Sequence, residues 1–234
     1  MVPDYDALYA DHAEKYDRFI AAEDFNGNLL HSLKQYGNLN REQAVADLGS
    51  GTGRIAFLVA PIVRHVYAVE PVGGMRLVAE SKKLSLGAKN VNFLPGEHKD
   101  IPLPDKSIDL IIEGWSFLHA FYSAYPEWRS EFETIVPEMK RILRPKGSVI
   151  LIETMGSLHI WDKVPTQAAI LYNYFEKELG LKKTTIRTDY RFADIERAVD
   201  LGTFFFGDEV GAEISQTGDP IMPEATAIWH GRIA

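Results

Sequence analysis

The residues with the most chemistry in their spacing are Asp47-Leu48-Gly49-Ser50-Gly51-Thr52-Gly53-Arg54. Gly49, Gly51 and Gly53 alternate with small polar residues, Ser50 and Thr52. Such a loop can adopt positive φ and lets a ligand approach with no Cβ in the way. Where a helix starts behind it, the first-turn N–H groups are free for an anion or a polar ligand. Asp47 adds a carboxylate just ahead of the loop. A second acid, Glu70, closes the apolar run Val66-Tyr67-Ala68-Val69 and is followed by Pro71. An acid at a strand end can accept hydrogen bonds from both hydroxyls of a ribose.

The ligand follows from charge and spacing. A dinucleotide loop spaces its glycines G-x-G-x-x-G, and here Arg54 stands where the third glycine belongs. A pyrophosphate beside Asp47 would meet a like charge in a dry cleft. S-adenosylmethionine (SAM) carries a sulfonium and an ammonium against one carboxylate, and an acidic loop suits it. Glu70 fits either cofactor; Asp47 and the glycine spacing favour SAM.

With Val69-Glu70-Pro71, the run from Asp47 to Gly53 resembles motif I and the next acidic motif of class I SAM-dependent methyltransferases. The branch it is most similar to is the small-molecule group with a methyltransferase type 11 domain, like the ubiquinone-biosynthesis enzymes. Arg144-Pro145-Lys146-Gly147 resembles the turn before the family's fifth strand. The resemblance implies an α/β, Rossmann-like, doubly wound fold: a seven-stranded, mostly parallel sheet with an antiparallel last strand. It implies that Asp47, Gly49, Ser50, Gly51, Gly53, Glu70 and Pro71 contact the cofactor. A family Tyr-Asp pair near SAM is matched by Tyr16-Asp17. The acid that meets the adenine amino group is matched best by Glu97, with His98 beside it and Asp100 as the alternative. Glu97 reads equally as a solvated loop acid.

The stretch Glu113-Gly114-Trp115-Ser116-Phe117-Leu118-His119 leaves the fourth expected strand, where methyl donor and acceptor should meet. The Asn/Asp-Pro-Pro-Tyr/Phe motif of nucleic-acid amino-methyltransferases is absent there, which counts against a base as acceptor. Glu113 and Trp115 are placed to touch the cofactor. A ring near the sulfonium would gain about 1 kcal/mol of cation–π attraction, and a core tryptophan is the competing reading. His119 and Tyr122 are the candidate general bases, with Glu113 as a third; His119 also reads as an ordinary loop histidine. Methyl transfer from a sulfonium needs alignment and water exclusion more than a nucleophilic side chain or a metal. No metal site is expected.

Alternating strands and short helices must position these groups, and that alternation implies a parallel sheet with its ligand edge at the strand carboxyl ends. Expected strands are Val45–Leu48, Val66–Glu70, Val91–Leu94, Ile108–Ile112, Ser148–Glu153, Thr184–Arg191 and Ala225–Arg232. The helix after the second strand is expected to pack through Leu77, Val78, Ser81 and Leu84, and Pro137 to kink or split the helix around it. Residues 1–40 read as a helical lid, with Tyr5, Leu8, Tyr9, His12 and Tyr16 at helical spacing. Segments 154–183 and 192–222, the second a helical insert before the last strand, read as substrate-side covers on a single domain, 1–234. Aromatic residues in Trp115–Trp128, Trp161–Phe175 and Phe204–Phe206 point to an apolar or aromatic pocket.

Bulk properties bound the rest. A chain of 234 residues, 46% of them hydrophobic, is long enough for one substantial core. A net charge of −8 argues against a broad nucleic-acid surface. With no cysteine, disulfides and thiolate chemistry are excluded. Absence of a long apolar run argues against a membrane span. Met1-Val2-Pro3-Asp4-Tyr5-Asp6 lacks a signal-peptide pattern, and a cytoplasmic location is the expectation. The expected partner is a small-molecule methyl acceptor, and a homodimer is left open. An NAD-linked oxidoreductase and a non-catalytic SAM-binding module are the alternative functions.

Overall fold

Short aliphatic strands separated by amphipathic helices build this chain. The computed structural model describes residues 5–158 and 166–233. Trp161, expected to line a pocket, and the first four residues lie outside the described residues. The helices α1 (Tyr5–Asp11), α2 (Ala13–Ile20) and α3 (Asn28–Gly37) precede the sheet. Strands β1 (Ala44–Leu48) and β2 (His65–Val69) flank α4 (Arg54–Val59), and α5 (Gly73–Leu86) leads to β3 (Val91–Leu94). A loop reaches β4 (Ile108–Gly114), then come α6 (Phe117–Ala124), α7 (Trp128–Ile142) and β5 (Leu143–Ser157). The chain closes with α8 (Thr166–Lys177), β6 (Lys182–Arg187), β7 (Tyr190–Arg191), α9 (Ile195–Phe206), α10 (Asp208–Thr217), β8 (Ile221–Met222) and β9 (Glu224–Gly231).

Seven strands form one sheet in the order β3-β2-β1-β4-β5-β9-β6, with β9 antiparallel to both neighbours. The α/β class expected from the sequence, including the antiparallel last strand, is borne out. All five residues of β1 are buried, as a central parallel strand covered on both faces requires. Register brings the strand ends level, since Leu48 pairs with Val69 on one side and Glu113 on the other. Strand order reverses between β1 and β4, so the crevice above those two strands is the place for a ligand.

One face of the sheet packs on Phe117, Phe132, Phe175 and Trp229, the other on Leu29, Leu33, Ile55 and Val59. A third cluster joins α2 to the insert: Phe19 meets Tyr190, Phe192, Leu201 and Ile214. Burial of these side chains fastens the N-terminal helices and the insert over the same end of the sheet.

Four local expectations change. The N-terminal aromatic stripe divides at His12, whose φ of −127° interrupts the helix. Pro137 sits inside an unbroken α7, where the buried Phe132, Ile135, Val136 and Met139 hold the helix across the missing backbone bond. The expected strand Thr184–Arg191 is two: β6 in the main sheet and β7 paired with β8 in a separate ribbon. On α5, Leu77 and Leu84 are 75% and 81% exposed, and Met75 and Ala79 face the core. The spacing of leucines alone did not fix which face turned inward.

The packing gives a direct check on stability. Phe117→Ala should cost about 3–5 kcal/mol, the usual range for emptying a buried aromatic site. Leu84→Ser should stay within about 0.5 kcal/mol, as exposed substitutions do. Urea denaturation of both variants measures the contrast.

Candidate active site

A cavity of about 650 Å³ opens at the carboxyl ends of β1 and β4. Its floor is the glycine loop and its roof is built from α1, α2 and the end of α9. Asp47, on the last turn of β1, is 1% exposed and lines the cavity. Its Oδ2 has no hydrogen-bond partner among the described residues, nor has the buried Ser50 Oγ. Burial pushes the Asp47 carboxyl up to about 8, with the Glu113 and Glu70 charges adding to it.

The loop keeps its shape at a cost in amides. Gly49 and Ser50 donate to Val69 O at 2.9 and 3.0 Å, Gly51 to Glu70 Oε2 at 2.8 Å, and Gly53 to Ser50 O at 2.8 Å. These N–H groups, expected to be open to a ligand, are spent inside the protein because the tight turn folds back on the end of β2. What remains is a surface without side chains. Gly49 has φ of +69°, and a Cβ there would run into the Ser116 side chain. Gly51 has φ of +52° beneath the Tyr16 ring.

Glu70 is 5% exposed and does not line the cavity. Its two oxygens accept from Gly51 N and Val72 N, both at 2.8 Å, and burial raises its pKa. Pro71, Glu97 and His98 also lie off the cavity wall. Glu97 is exposed, with Lys99 Nζ 3.6 Å away. The His98 Nε2 lies 3.1 Å from Ser116 Oγ, and burial lowers its pKa to about 4. Glu113 is fully buried and ties down the turn after β4: its Oε1 accepts from Ser116 N at 2.7 Å, Ser116 Oγ at 2.8 Å and Phe117 N at 2.9 Å. Burial still takes its pKa to about 7. Thus the structure gathers Tyr16, Asp47, Gly49, Ser50, Gly51, Trp115, His119 and Tyr122 on one cavity, and sets Glu70 and Glu113 directly behind its wall.

The lid carries its own polar contacts to the loop. Thr52 Oγ1 donates to Asp17 Oδ1 at 2.6 Å, and Lys82 Nζ meets the same oxygen at 2.5 Å. Arg54 Nη1 pairs with Glu23 Oε2 at 2.5 Å, and its guanidinium lies 4.4 Å from the Trp115 ring centroid. Trp115 therefore already has a cation over its ring. His119 Nε2 and the Tyr9 hydroxyl share a hydrogen bond of 3.0 Å, with the Tyr5 ring edge-on to the imidazole. Burial raises the Tyr9 phenol well above the ordinary range, so it stays protonated.

Sequence reasoning missed Glu23, Glu153 and Glu224, all of which line the cavity. Glu153 and Glu224 are 1% and 2% exposed. Glu153 Oε1 accepts from Leu118 N at 2.8 Å, and the hydroxyls of Thr154 and Ser157 both donate to Glu224. Burial pushes Glu224 up to about 8 and raises Glu153 well above the usual carboxylate range, the Glu113 charge adding to the second. The available signal was Glu153 closing the apolar run Val149–Ile152, the same pattern that exposed Asp47 and Glu70. Among the described residues no group of His, Asp or Glu is arranged to hold a metal, and no helix is long and apolar enough to cross a membrane.

Known proteins share this fold. Residues 46–151 match a family described as a methyltransferase domain. The chain is 28% identical over 146 residues to an uncharacterised methyltransferase, YcgJ, of Bacillus subtilis, a match covering 62% of this chain and 53% of that protein. It is 28% identical over 167 residues to the malonyl-[acyl-carrier protein] O-methyltransferase of Yersinia pestis, covering 69% and 56% respectively. The matches thus span little more than half the length of these relatives. Among solved structures, a SAM-dependent methyltransferase from Aquifex aeolicus superimposes with a TM-score of 0.54 at 20% identity, covering 88% of this chain and 93% of that one. The fold is the one seen there, and the resemblance read from motif I is borne out by the domain match.

The buried acids make stability depend on pH in a stated direction. Unfolded, these carboxyls titrate near about 4; folded, Asp47 and Glu224 hold their protons to about 8 and Glu113 to about 7. Their contribution is complete below about pH 4 and is lost as pH rises towards 8. Calorimetric unfolding should show lower stability at pH 8 than at pH 5. Asp47→Asn should shrink that difference by at least about 1.4 kcal/mol, the worth of one pKa unit.

Proposed function

We propose that this chain, whose residues 46–151 match a methyltransferase domain, transfers a methyl group from S-adenosylmethionine to a small acceptor with an apolar or aromatic body. The observation that carries the reading is Asp47: a buried carboxylate with one unpartnered oxygen, facing a cavity over a floor of bare glycines. An ammonium or sulfonium satisfies that oxygen, whereas the pyrophosphate of a dinucleotide would be repelled by it. The donor set therefore fits SAM and argues against an NAD-linked oxidoreductase.

When bound, SAM supplies a methyl group already activated by its sulfonium. Asp47 and Ser50 Oγ would hold the methionine end, and Gly49 and Gly51 give it room. Glu70 keeps a second acceptor position on each oxygen, since a carboxylate offers about four, and these suit a ribose diol behind the loop. Pro71, Glu97 and His98 border the nucleoside side. Tyr9 and Tyr16 give aromatic walls that favour cationic charge. The lid of α1 and α2, with α9 and α10, excludes water while donor and acceptor are aligned. His119, hydrogen-bonded to Tyr9, is placed to take a proton from an acceptor hydroxyl, and Tyr122 lies on the same wall.

Titration calorimetry with S-adenosylhomocysteine tests the reading. The wild-type chain should bind it saturably, and Asp47→Ala and Glu70→Ala should each weaken binding by about tenfold or more, equivalent to roughly 1.4 kcal/mol. Unchanged affinity in both variants would sink the assignment. Labelled SAM with a metabolite extract then reads transfer itself.

A further inference from the structure

The acceptor side of the cavity has a charge balance that the methyl-donor side does not explain. Arg54 is the only lysine or arginine among the described residues lining the cavity, and Glu23 already pairs with it. Against that single neutralised cation stand Glu153 and Glu224, both buried, neither in an ion pair with any described residue that the structure records. Their hydrogen bonds come from a backbone amide and two hydroxyls, which are neutral donors. A second observation points to an occupant. Glu23, its side chain 4% exposed, keeps Oε1 without a hydrogen-bond partner among the described residues, and it lines the same cavity. Glu224 lies within electrostatic reach of Glu23 and of Arg54, so these groups form one cluster.

The walls around the cluster are aromatic. Tyr16 packs against Phe205, and Tyr190 stacks on Phe19. Aromatic faces attract a cation and give nothing to an anion. A carboxylate or phosphate acceptor would find no free cation on the cavity wall, and every acid that ionised there would add a charge of its own sign. A cationic acceptor would find unmatched carboxyl oxygens and negative ring faces.

We propose that the methyl acceptor is an amine on an apolar or aromatic body, its nitrogen received by Glu224 and Glu23 in the cavity that Asp47 also lines. The proposal rests on the methyltransferase reading for its chemistry, and on the acids and rings alone for its charge preference. In the step it implies, an ammonium N–H proton passes to the Glu224 carboxylate. The freed nitrogen lone pair forms the new N–C bond as the C–S bond breaks, and that electron pair stays on sulfur. The sulfonium becomes a neutral thioether and the amine becomes a methylated ammonium, so charge is conserved.

Three probes of one shape and different charge decide it: phenethylamine, phenethyl alcohol and hydrocinnamate, titrated calorimetrically into the full chain at pH 8 with and without S-adenosylhomocysteine. Phenethylamine should bind at least about tenfold more tightly than hydrocinnamate, with the alcohol between them. Glu224→Gln should remove most of that preference and leave S-adenosylhomocysteine affinity unchanged. Equal binding of amine and anion, tighter binding of the anion, or no detectable amine binding overturns the proposal. So does a folded Glu224→Gln variant with the full preference; if that variant does not fold, the wild-type ranking decides alone. Selective amine binding without S-adenosylhomocysteine binding would uphold the cation site and bring down the methyl-transfer reading. The reverse result would do the opposite.

Discussion

Carboxyl groups buried without a matching cation are the constraint around which this molecule is arranged. Asp47 and Glu113 lie one residue from the carboxyl ends of β1 and β4, Glu153 lies further inside the neighbouring β5, and each is almost wholly removed from water. Taking a carboxylate out of water costs several kcal/mol unless hydrogen bonds or a counter-charge replace the solvent. The protein supplies part of this. Glu113 takes the amides of the turn after β4, Glu153 takes the amide of Leu118, and the remainder is met by protonation. Asp47 receives least from its surroundings, and it is the one placed on the open cavity floor.

The lid follows from the same electrostatics. α2 is tied to the glycine loop through Asp17 with Thr52, and through the pairing of Glu23, just beyond the helix, with Arg54, while Lys82 ties the same Asp17 to α5. Both anchors on the loop side sit within or directly after the glycine run. Movement of α2 would therefore pull on the backbone that forms the cavity floor. The apolar cluster around Phe19 carries the bond further, to the α9–α10 insert. Stability and site shape are thus set by the same contacts.

Much of this was legible in the residues. Asp47, the three glycines and Glu70 each closed or followed an apolar run, and strand ends in a parallel sheet converge on one edge. That rule needs only local pattern, so it survived. Glu153 closes an apolar run in the same way, Val149–Ile152. Glu23 and Glu224 could not be found this way: one follows a helix and the other begins the last strand, and only packing of the insert against α2 brings them together. The buried face of α5 was misassigned because Leu77 and Leu84 share a helical face as regular as that of Met75 and Ala79. Pro137 misled because tertiary burial outweighed one lost backbone bond.

Arg54 shows how one substitution in a familiar loop redirects a site. At the position where a dinucleotide loop holds glycine, its side chain crosses to Glu23 and spreads over the Trp115 ring. Breaking such a buried pair by removing one partner typically costs about 3–5 kcal/mol, which is ample to hold a lid. The same contact spends the one guanidinium near the acids, so it cannot serve as an anion receptor. It also gives Trp115 a resident cation over its ring. An arginine that looks like a specificity determinant in sequence thus acts as a clamp, and its neutralisation is what leaves the surrounding carboxyls in excess.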